Sequence, residues 1–479
     1  MDSNALLSLI TELQEQKSER QNVELKSCAL GFPKKIYDAL SSFSNQDNGG
    51  IIIFGIQEKP DFEIVGVYDA DDVQKKIMEN CNQMEPKVRP LINICTINEK
   101  IIVAAEIPGV EINKRPVFYA GVGRIKGSYI RVGDADEPMS EYEIYSYEAF
   151  RKRIREDQRL VDRVQIELFD QQLLEKYLQA VKHERKNLSK NLSDEQILEL
   201  MGVTFSNKPT LAGVLVFSRY PQTFFSQLCI TCVSVPGTEI GSIGDEGERF
   251  IDNKRYTGPI TDMLEGAVEF IRRNSRTKTV IDENGHRKDK PEYPMLAVRE
   301  AVLNALVHRD YSMYTENIPI SIEMYRDRLE IKNSGGLYGN TPVQALGSVR
   351  PETRNAILAN ILELLKITEN RYSGIPTIQN ELRKAGLPPA EFSVRRGEFT
   401  VVFRNNIFPQ ELAVDKNSLE HLILTFCKEP KSRQEIVALV GKSRYYVMKE
   451  LVQPLIQKGL LAMTMPEKPQ SSKQKFYSV

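Results

Sequence analysis

The chain has 479 residues, of which 27% are charged and 41% hydrophobic, and its formal net charge is −1. This composition is typical of a globular protein of about three domains, and it excludes a protein that coats nucleic acid through overall positive charge. No apolar run approaches the roughly 20 residues of a membrane span, and six cysteines in so long a chain are typical of reduced thiols. The first helix lacks the basic start of a signal peptide, so we expect a cytoplasmic protein without a membrane partner.

The first quarter of the chain predicts alternating helices and strands. Residues 1–15 form a leading amphipathic helix, and the segment 18–27 (SERQNVELKS) then enters a strand. Apolar residues at helical spacing predict a helix over residues 36–43, which the turn residues SNQDNGG end. The continuous apolar run 50–56 (GIIIFGI) is typical of a buried strand, and further strands are predicted at 101–107 and 128–132.

This order resembles the AlbA-like domain shared with Schlafen proteins: a strand in which an acidic residue precedes a lysine, a helix ending in asparagine, and a glycine pair before a strand. The resemblance covers roughly residues 15–150. In Schlafen-type nucleases, a third acid, for which Glu58 or Asp61 is the candidate here, joins two glutamates at the spacing of Glu19 and Glu24 to hold a divalent metal that activates water against a phosphodiester. The resemblance therefore implies these two glutamates as ligands. Two alternatives remain: Glu24 and Lys26 pair on one strand face, or the domain only binds DNA, in which case Lys26 contacts nucleic acid.

The next segments predict structure rather than chemistry. The stretch GVGRIKGSYIRVGD, residues 121–134, predicts a hairpin turn and a strand; it is not a P-loop, because Lys126 precedes Gly127, and this weakens a helicase interpretation. Residues 141–158 predict a charged connector helix with a solvated face. The other predictions are a capped helix ending at Gly202, a buried strand plus turn over 210–225 (TLAGVLVFSRYPQTFF), a strand with an isolated C-x-x-C pair (Cys229 and Cys232), a helix over 258–274, and a polar, mobile segment over 276–289.

Residues 300–311, EAVLNALVHRDY, carry the most informative pattern. Glu300, Asn304 and His308 recur every four residues, so they lie above one another on one face of a helix. A carboxylate beside an amide suits nucleotide chemistry, because Asn304 offers a carbonyl oxygen to Mg²⁺ while Glu300 orients and deprotonates water. The alternative is an amphipathic helix with a polar capping patch.

Two later segments extend this pattern. Residues 320–331 (ISIEMYRDRLEI) predict two strands that meet at the turn Arg326-Asp327. They lead into the sequence NSGG, residues 333–336, where glycines let the backbone approach a ligand closely. In RYSGIPTI, residues 371–378, Gly374 precedes a helix whose N-terminus suits phosphate.

The three segments resemble the N, G1 and G2 boxes of the GHKL ATPases, and the added HRDY resembles a branch found in bacterial transcriptional regulators. Asn333 stands where the family normally has an adenine-recognising aspartate; its amide pairs with the adenine edge but supplies no charge. A lid over residues 338–372 would carry Arg350 and Arg354 towards the phosphates or a partner's site. The resemblance implies an ATP and Mg²⁺ site in which Glu300 is catalytic, Asn304 is the metal ligand, and the nucleotide is bound by Asn304, His308, Asn333, Gly335, Gly336 and Gly374.

The stretch from about residue 417 to the end predicts three short helices, the second and third joined by Gly441, and a closing pair of strands. This order resembles a winged helix-turn-helix, whose third helix enters the major groove. Residues 411–479 hold 11 Lys and Arg against 7 Asp and Glu, as a DNA footprint requires. A winged helix that mediates protein contact is the alternative. The residues implied to bind DNA are Ser443, Arg444, Tyr445 and Lys449 on the third helix, and Lys468 and Lys473 on a wing over 466–473.

Nearly the whole chain thus resembles bacterial transcriptional regulators of this build. The expected fold class is α+β multidomain: an AlbA/Schlafen-like domain over 1–158, a linker subdomain and a GHKL ATPase-like α/β sandwich over 159–408, and a winged helix over 409–479. The expected function is an ATP-responsive DNA-binding transcriptional regulator that forms a homodimer or a higher homo-oligomer. Two alternatives stay open: an ATP-gated, metal-dependent Schlafen-like nuclease in defence or repair, and a scaffold that binds neither ATP nor metal.

Overall fold

The computed structural model describes residues 3–16, 20–59, 61–244, 246–281, 287–339, 342–349, 352–368, 373–405, 416–440, 447–465 and 474–478. The chain is a multidomain α+β protein with several separate sheets, as the sequence predicts. Its internal packing divides it into two compact units, Met1–Arg404 and Asn405–Val479. Among the described helices, none is both long enough and apolar enough to cross a bilayer.

The first unit begins with a sheet covered by helices on both faces. Its elements are α1 (Ser3–Gln16), β1 (Val23–Lys26), α2 (Tyr37–Ser44), β2 (Gly50–Phe54), β3 (Ile56–Gln57), β4 (Glu63–Ile64), α3 (Ala70–Asn82), β5 (Met84–Glu85), β6 (Leu91–Ile97), β7 (Lys100–Ile107) and β8 (Phe118–Tyr119). The sheet has the order β1-β2-β7-β6, with β1 and β2 parallel and the other pairs antiparallel. α1 packs on one face, and α2 and α3 pack on the other. The predicted strand over 50–56 breaks at Gly55, whose φ is 104°.

The segment that follows contains two wrong predictions. Its elements are α4 (Gly123–Gly127), β9 (Tyr129–Val132), β10 (Ala135–Pro138), α5 (Glu141–Lys152), α6 (Gln171–Glu184), α7 (Lys186–Asn191), α8 (Asp194–Leu200), β11 (Thr204–Phe205), β12 (Lys208–Pro209) and α9 (Leu211–Phe217). The turn predicted from GVGRIKG is the short helix α4, and the hairpin lies one strand later, between β9 and β10. The strand predicted from TLAGVLV is helix α9, which Thr210 caps by accepting a hydrogen bond from the Gly213 N–H. Every residue of α9 is buried, so no amphipathic period distinguishes it from a buried strand. The capped helix α8, closed by Gly202, is confirmed.

The rest of the first unit is built around a six-stranded sheet. Its elements are β13 (Ile230–Ser234), β14 (Asp252–Tyr256), α10 (Ile260–Asn274), β15 (Thr277–Ile281), β16 (Arg287–Pro291), α11 (Met295–His308), β17 (Ile320–Met324), β18 (Arg328–Ser334), α12 (Ala356–Leu364), α13 (Gly374–Lys384), β19 (Glu391–Arg395) and β20 (Glu398–Arg404). The strand order is β14-β13-β17-β18-β20-β19, and only the β13–β17 pair in this sheet is parallel. α11 packs against α10, α13 and β18, and so lies over the middle of the sheet.

Within the segment 276–289, predicted as polar and mobile, residues 277–281 and 287–289 belong to an antiparallel ribbon of β15 and β16, and residues 282–286 lie outside the described residues. The sequence did not predict these strands, because backbone groups form the ribbon and their pairing needs no apolar pattern. The two strands predicted around Arg326-Asp327 are confirmed as β17 and β18. The helix predicted over 258–274 is confirmed as α10, which begins at Ile260.

The second unit is small and has its own apolar core. Its elements are α14 (Lys416–Phe426), β21 (Lys431–Ser432), α15 (Arg433–Val440), a π-helical turn (Val447–Val452), α16 (Gln453–Gln457), β22 (Leu461–Met463) and β23 (Lys475–Ser478). β23 lies between β21 and β22 and is antiparallel to both. The helices and the sheet share one cluster of buried side chains that includes Ile423, Ile436, Leu451 and Phe476.

Candidate nucleotide site

Helix α11 presents an acid, an amide and an imidazole as a single stripe. Glu300, Asn304 and His308 are half-buried, whereas every residue between them is buried. The intervening apolar side chains pack into the core of the six-stranded sheet domain, which fixes the rotation of the helix. The three polar side chains therefore lie on the face of α11 that lines a cavity.

This cavity has a volume of about 530 Å³, and small-molecule sites typically enclose about 300–1,000 Å³. Strands β18 and β20 contribute apolar side chains to its lining, among them Ile331, Phe399 and Val401. Three segments that are far apart in the sequence meet here. Together they bring every predicted nucleotide-site residue to the same cavity: Glu300, Asn304, His308, Asn333, Gly335, Gly336 and Gly374.

Gly374, the first residue of α13, lies directly against the α11 stripe. A Cβ at this position would overlap Glu300 Oε1 and lie 2.9 Å from Asn304 Nδ2. Glycine therefore lets the start of α13 approach both side chains. The N–H groups of a helix N-terminus are a ready site for phosphate, so this close approach suits an anionic ligand beside Glu300 and Asn304.

Asn333, near the end of β18, carries an unsatisfied polar atom. Its side chain is 4% exposed, and among the described residues no donor lies within hydrogen-bond distance of its Oδ1. A buried acceptor without a partner costs about 1–3 kcal/mol. The oxygen is thus suited to accept a hydrogen bond from a ligand, such as the amino group of a purine.

Three cationic side chains also line the cavity: Arg299, Arg354 and Lys366. Arg299 donates to the carbonyl of Ile367 at 3.2 Å, and Arg354 donates to the carbonyl of Gly336 at 2.9 Å. Guanidinium groups bind phosphate through several hydrogen bonds at once, so these cations suit a polyphosphate. Arg350, predicted to act with Arg354, lies outside the described residues.

His308 is held neutral. Burial, with the positive charge of Arg354, lowers the pKa of His308 to about 4. At pH 7 the imidazole is therefore uncharged and can donate one hydrogen bond and accept another. In the cavity it therefore offers hydrogen bonds rather than charge.

The lowered pKa of His308 predicts an acid-labile fold. Between pH 6.5 and about 4 the unfolded state binds a proton that the folded state does not, so stability falls as the pH decreases. Wild type is expected to lose roughly 2 kcal/mol more than His308→Gln between pH 7 and pH 5. Urea unfolding followed by circular dichroism at both pH values measures this difference. His183→Gln, on the exposed side of α6, is the control and is expected to keep the wild-type dependence; equal losses in His308→Gln and wild type would contradict the prediction.

The cavity suits a metal ion that binds together with a nucleotide. The described residues contain no group of three or more His, Cys, Asp or Glu side chains that could hold an ion. Mg²⁺ bound with a nucleotide needs no such group, because phosphate and water oxygens supply most of its ligands. The carbonyl oxygen of Asn304 fits as a single protein ligand, and the Glu300 carboxylate fits as the acceptor of a proton from water.

Glu24, one of the two implied metal ligands in the N-terminal domain, is bound by two cationic side chains. Glu24 Oε1 accepts from Lys26 Nζ at 2.6 Å, and Glu24 Oε2 accepts from Arg131 Nη1 at 2.9 Å. Arg131 also pairs with Asp136 at 2.9 Å and is 1% exposed. The pairing of Glu24 with Lys26, one of the sequence-based alternatives, is thus observed. Glu19, the other implied metal ligand, lies outside the described residues.

Of the six residues implied to bind DNA in the second unit, only Lys449 lies within the described part. It is exposed in the π-helical turn Val447–Val452. The other five fall in the segments 441–446 and 466–473, outside the described residues: Ser443, Arg444, Tyr445, Lys468 and Lys473.

The sequence-based reasoning missed two residues that organise the cavity edge. Asp310, 2% exposed, pairs with Arg354 at 2.6 Å and accepts a hydrogen bond from the hydroxyl of Tyr142 at 2.8 Å. Asp310 directly follows the α11 pattern, and an acid next to a buried helix end is a detectable signal. No local signal marks Tyr142, because its partner lies 168 residues away.

Family models match three regions of the chain. Residues 19–140 match the model described as "Schlafen, AlbA_2", and residues 318–403 match the model described as "Putative ATP-dependent DNA helicase recG C-terminal". Residues 147–230 match a domain of unknown function, DUF8451. No curated protein matches the chain.

The solved structures that are similar to this chain include the following two. The crystal structure of the DIP2311 protein from Corynebacterium diphtheriae has 16% identity and a TM-score of 0.41, over 99% of this chain and 96% of that one. The solution structure of the N-terminal domain of a RecG-related protein from Nitrosomonas europaea has 22% identity and a TM-score of 0.23, over 27% of this chain and 90% of that one. By the family models alone, the chain combines a region similar to the Schlafen/AlbA_2 family with a region similar to the putative RecG C-terminal family.

Proposed function

We propose that this protein is an ATP-responsive, DNA-binding transcriptional regulator that acts as a homodimer or a higher homo-oligomer. One observation carries the nucleotide part: the predicted residues of three distant segments line a single cavity of about 530 Å³. The unpartnered oxygen of Asn333 suits a purine, and the cations with the start of α13 suit a triphosphate. Asn304 would hold Mg²⁺, which would neutralise phosphate charge, while Glu300 would take a proton from the attacking water.

The DNA-binding part rests on the two ends of the chain. The similarity of residues 19–140 to the Schlafen/AlbA_2 family supports nucleic-acid binding by a domain over 1–158. In residues 409–479, the order helix, short strand, helix, a further helical segment and a closing strand pair supports a winged helix, and the excess of basic residues supports a DNA partner. The intervening region, 159–408, would comprise a linker subdomain and the ATP-binding domain.

Two other activities are less well supported. A metal-dependent nuclease would need the Glu24 carboxylate, yet Lys26 and Arg131 both pair with it. P-loop helicase activity would need a G-x-x-x-x-G-K-[ST] motif, and the full sequence contains none. The ATP cavity proposed here depends on neither chemistry.

Calorimetry with ATP and Mg²⁺ tests the proposal. Asn304→Ala is expected to weaken binding by about 10- to 100-fold, since a polar contact to a charged ligand contributes about 1.5–3 kcal/mol. Asn380→Ala, an exposed position on α13 outside the cavity lining, is the matched control and is expected to bind as wild type does. Equal, negligible heats for wild type and Asn304→Ala would overturn the proposal and favour a scaffold that binds no nucleotide.

A further inference from the structure

The connector that follows the N-terminal sheet lies against the edge of the cavity. The ring of Tyr142, on α5, fills the space in which a Cβ on Gly397 would lie. Farther along the connector, Phe150 packs edge-on against Tyr338 at 5.1 Å between ring centroids. Arg155 stacks on the same Tyr338 ring at 5.7 Å. Tyr338 itself lines the cavity.

Arg354 joins these contacts to the cavity. Its Nη1 lies 2.6 Å from Asp310 Oδ2, the same oxygen that accepts the Tyr142 hydroxyl at 2.8 Å. Its guanidinium also stacks on Tyr338 at 5.3 Å. Among the described residues, Arg354 Nε is buried without a hydrogen-bond partner. The cation therefore has an unused donor at the edge of the cavity.

The end of the connector also holds the segment that carries Arg354. Arg155 Nη1 donates to the carbonyls of Thr353 and Arg354, the latter at 2.9 Å. Asp157, which is fully buried, accepts from the N–H groups of Ile357 and Leu358 at the start of α12. Arg354 is thus linked to both ends of the connector, through Asp310 to Tyr142 and through its own carbonyl to Arg155.

We infer that Tyr142 is a positioning residue through which the connector responds to nucleotide in the cavity. This inference rests on the function proposed above. The outer phosphates of ATP compete with Asp310 for Arg354, because a guanidinium binds phosphate at least as well as carboxylate. When Arg354 turns to the phosphates, Asp310 loses its cation and the Tyr338 stack loses one of its members.

The burial of Asp310 makes this exchange energetically significant. Its side chain is 3% exposed, and a buried carboxylate that loses its cation is strongly destabilised. Asp310 without its cation turns towards water, and the Tyr142 hydroxyl that ties α5 to it then loses its acceptor. Nucleotide binding therefore loosens the connector, and by reciprocity any contact that tightens the connector weakens nucleotide binding.

Amide hydrogen exchange of the full chain, with mass-spectrometric readout, tests the inference. Saturating ATP with Mg²⁺ is expected to accelerate exchange in residues 141–152 by about five-fold or more. AMP lacks the outer phosphates, and it is expected to leave exchange at the unliganded rate. Tyr142→Phe removes one hydroxyl and keeps the ring, and it is expected to reduce the response to ATP below about two-fold.

Tyr145→Phe is the matched control. This tyrosine is on the same helix, but its hydroxyl bonds Glu156 rather than Asp310, so the full response to ATP is expected. Unchanged or slower exchange in wild type with ATP bound, an equal acceleration by AMP, or a full response in Tyr142→Phe would overturn the inference. These outcomes leave the proposed function intact, whereas a wild type without calorimetric ATP binding would overturn both.

Discussion

Glu300→Gln is expected to lower ATP turnover by about 10²- to 10⁴-fold, while ATP affinity changes by less than about three-fold. The glutamine keeps the shape of the side chain and its place beside Gly374, but an amide cannot accept a proton from water. Single-turnover hydrolysis with Mg²⁺ measures the rate, and calorimetry measures the affinity.

Glu352→Gln is the matched control for this experiment. Glu352 also lines the cavity, but it lies outside the α11 stripe, so we expect turnover within about three-fold of wild type. If Glu300→Gln hydrolysed ATP at the wild-type rate, the role of Glu300 as general base would be refuted. ATP binding by wild type without any turnover would refute it as well, and would leave a sensor that only binds.

Gly335→Ala is expected to destabilise the first unit by about 3 kcal/mol. Gly335 has a φ of 105°, a conformation that L side chains rarely adopt. A Cβ there would also lie 2.8 Å from the Cβ of Asp310, and neither atom can move without displacing backbone. Because the chain has no tryptophan, urea unfolding followed by circular dichroism is the suitable measurement.

The neighbouring Gly336 provides the control. Its φ is not positive, and among the described residues a Cβ there would meet only Val394, at 3.3 Å. Gly336→Ala is therefore expected to cost less than about 1 kcal/mol. Similar losses for the two variants would show that neither backbone strain nor the overlap with Asp310 decides the effect.

The nucleotide-site pattern was readable from the sequence because it is local. Glu300, Asn304 and His308 share a helix face through their spacing alone, and the apolar residues between them bury the rest of α11. Strands β17 and β18 were readable for a similar reason, since a polar turn separates two short runs in which apolar and polar residues alternate.

Other features depend on contacts that the local sequence does not encode. α9 is buried on every side, so its apolar run fits a strand as well as a helix. The ribbon of β15 and β16 forms through backbone hydrogen bonds between mainly polar residues. The contact of Tyr142 with Asp310 joins two residues that only the tertiary fold brings together.

The N-terminal acids show a third kind of difficulty. Spacing alone left Glu24 with two roles, as a metal ligand or as the partner of Lys26. Arg131 favours the second role, because its buried side chain also pairs with Glu24. The sequence did not reveal this contact, since Arg131 lies far along the chain. A pattern of charges in one strand therefore cannot define a metal site until the neighbouring strands are known.

A fragment cut to begin at residue 318, where the helicase-type similarity starts, would lack both β13 and α11. β17 would then be an edge strand, and the backbone groups that β13 satisfies would be open to pairing with other chains. The apolar residues that α11 covers would also meet water. Aggregation of such a fragment would reflect the choice of end point, because a piece that keeps β13 beside β17 begins before Ile230.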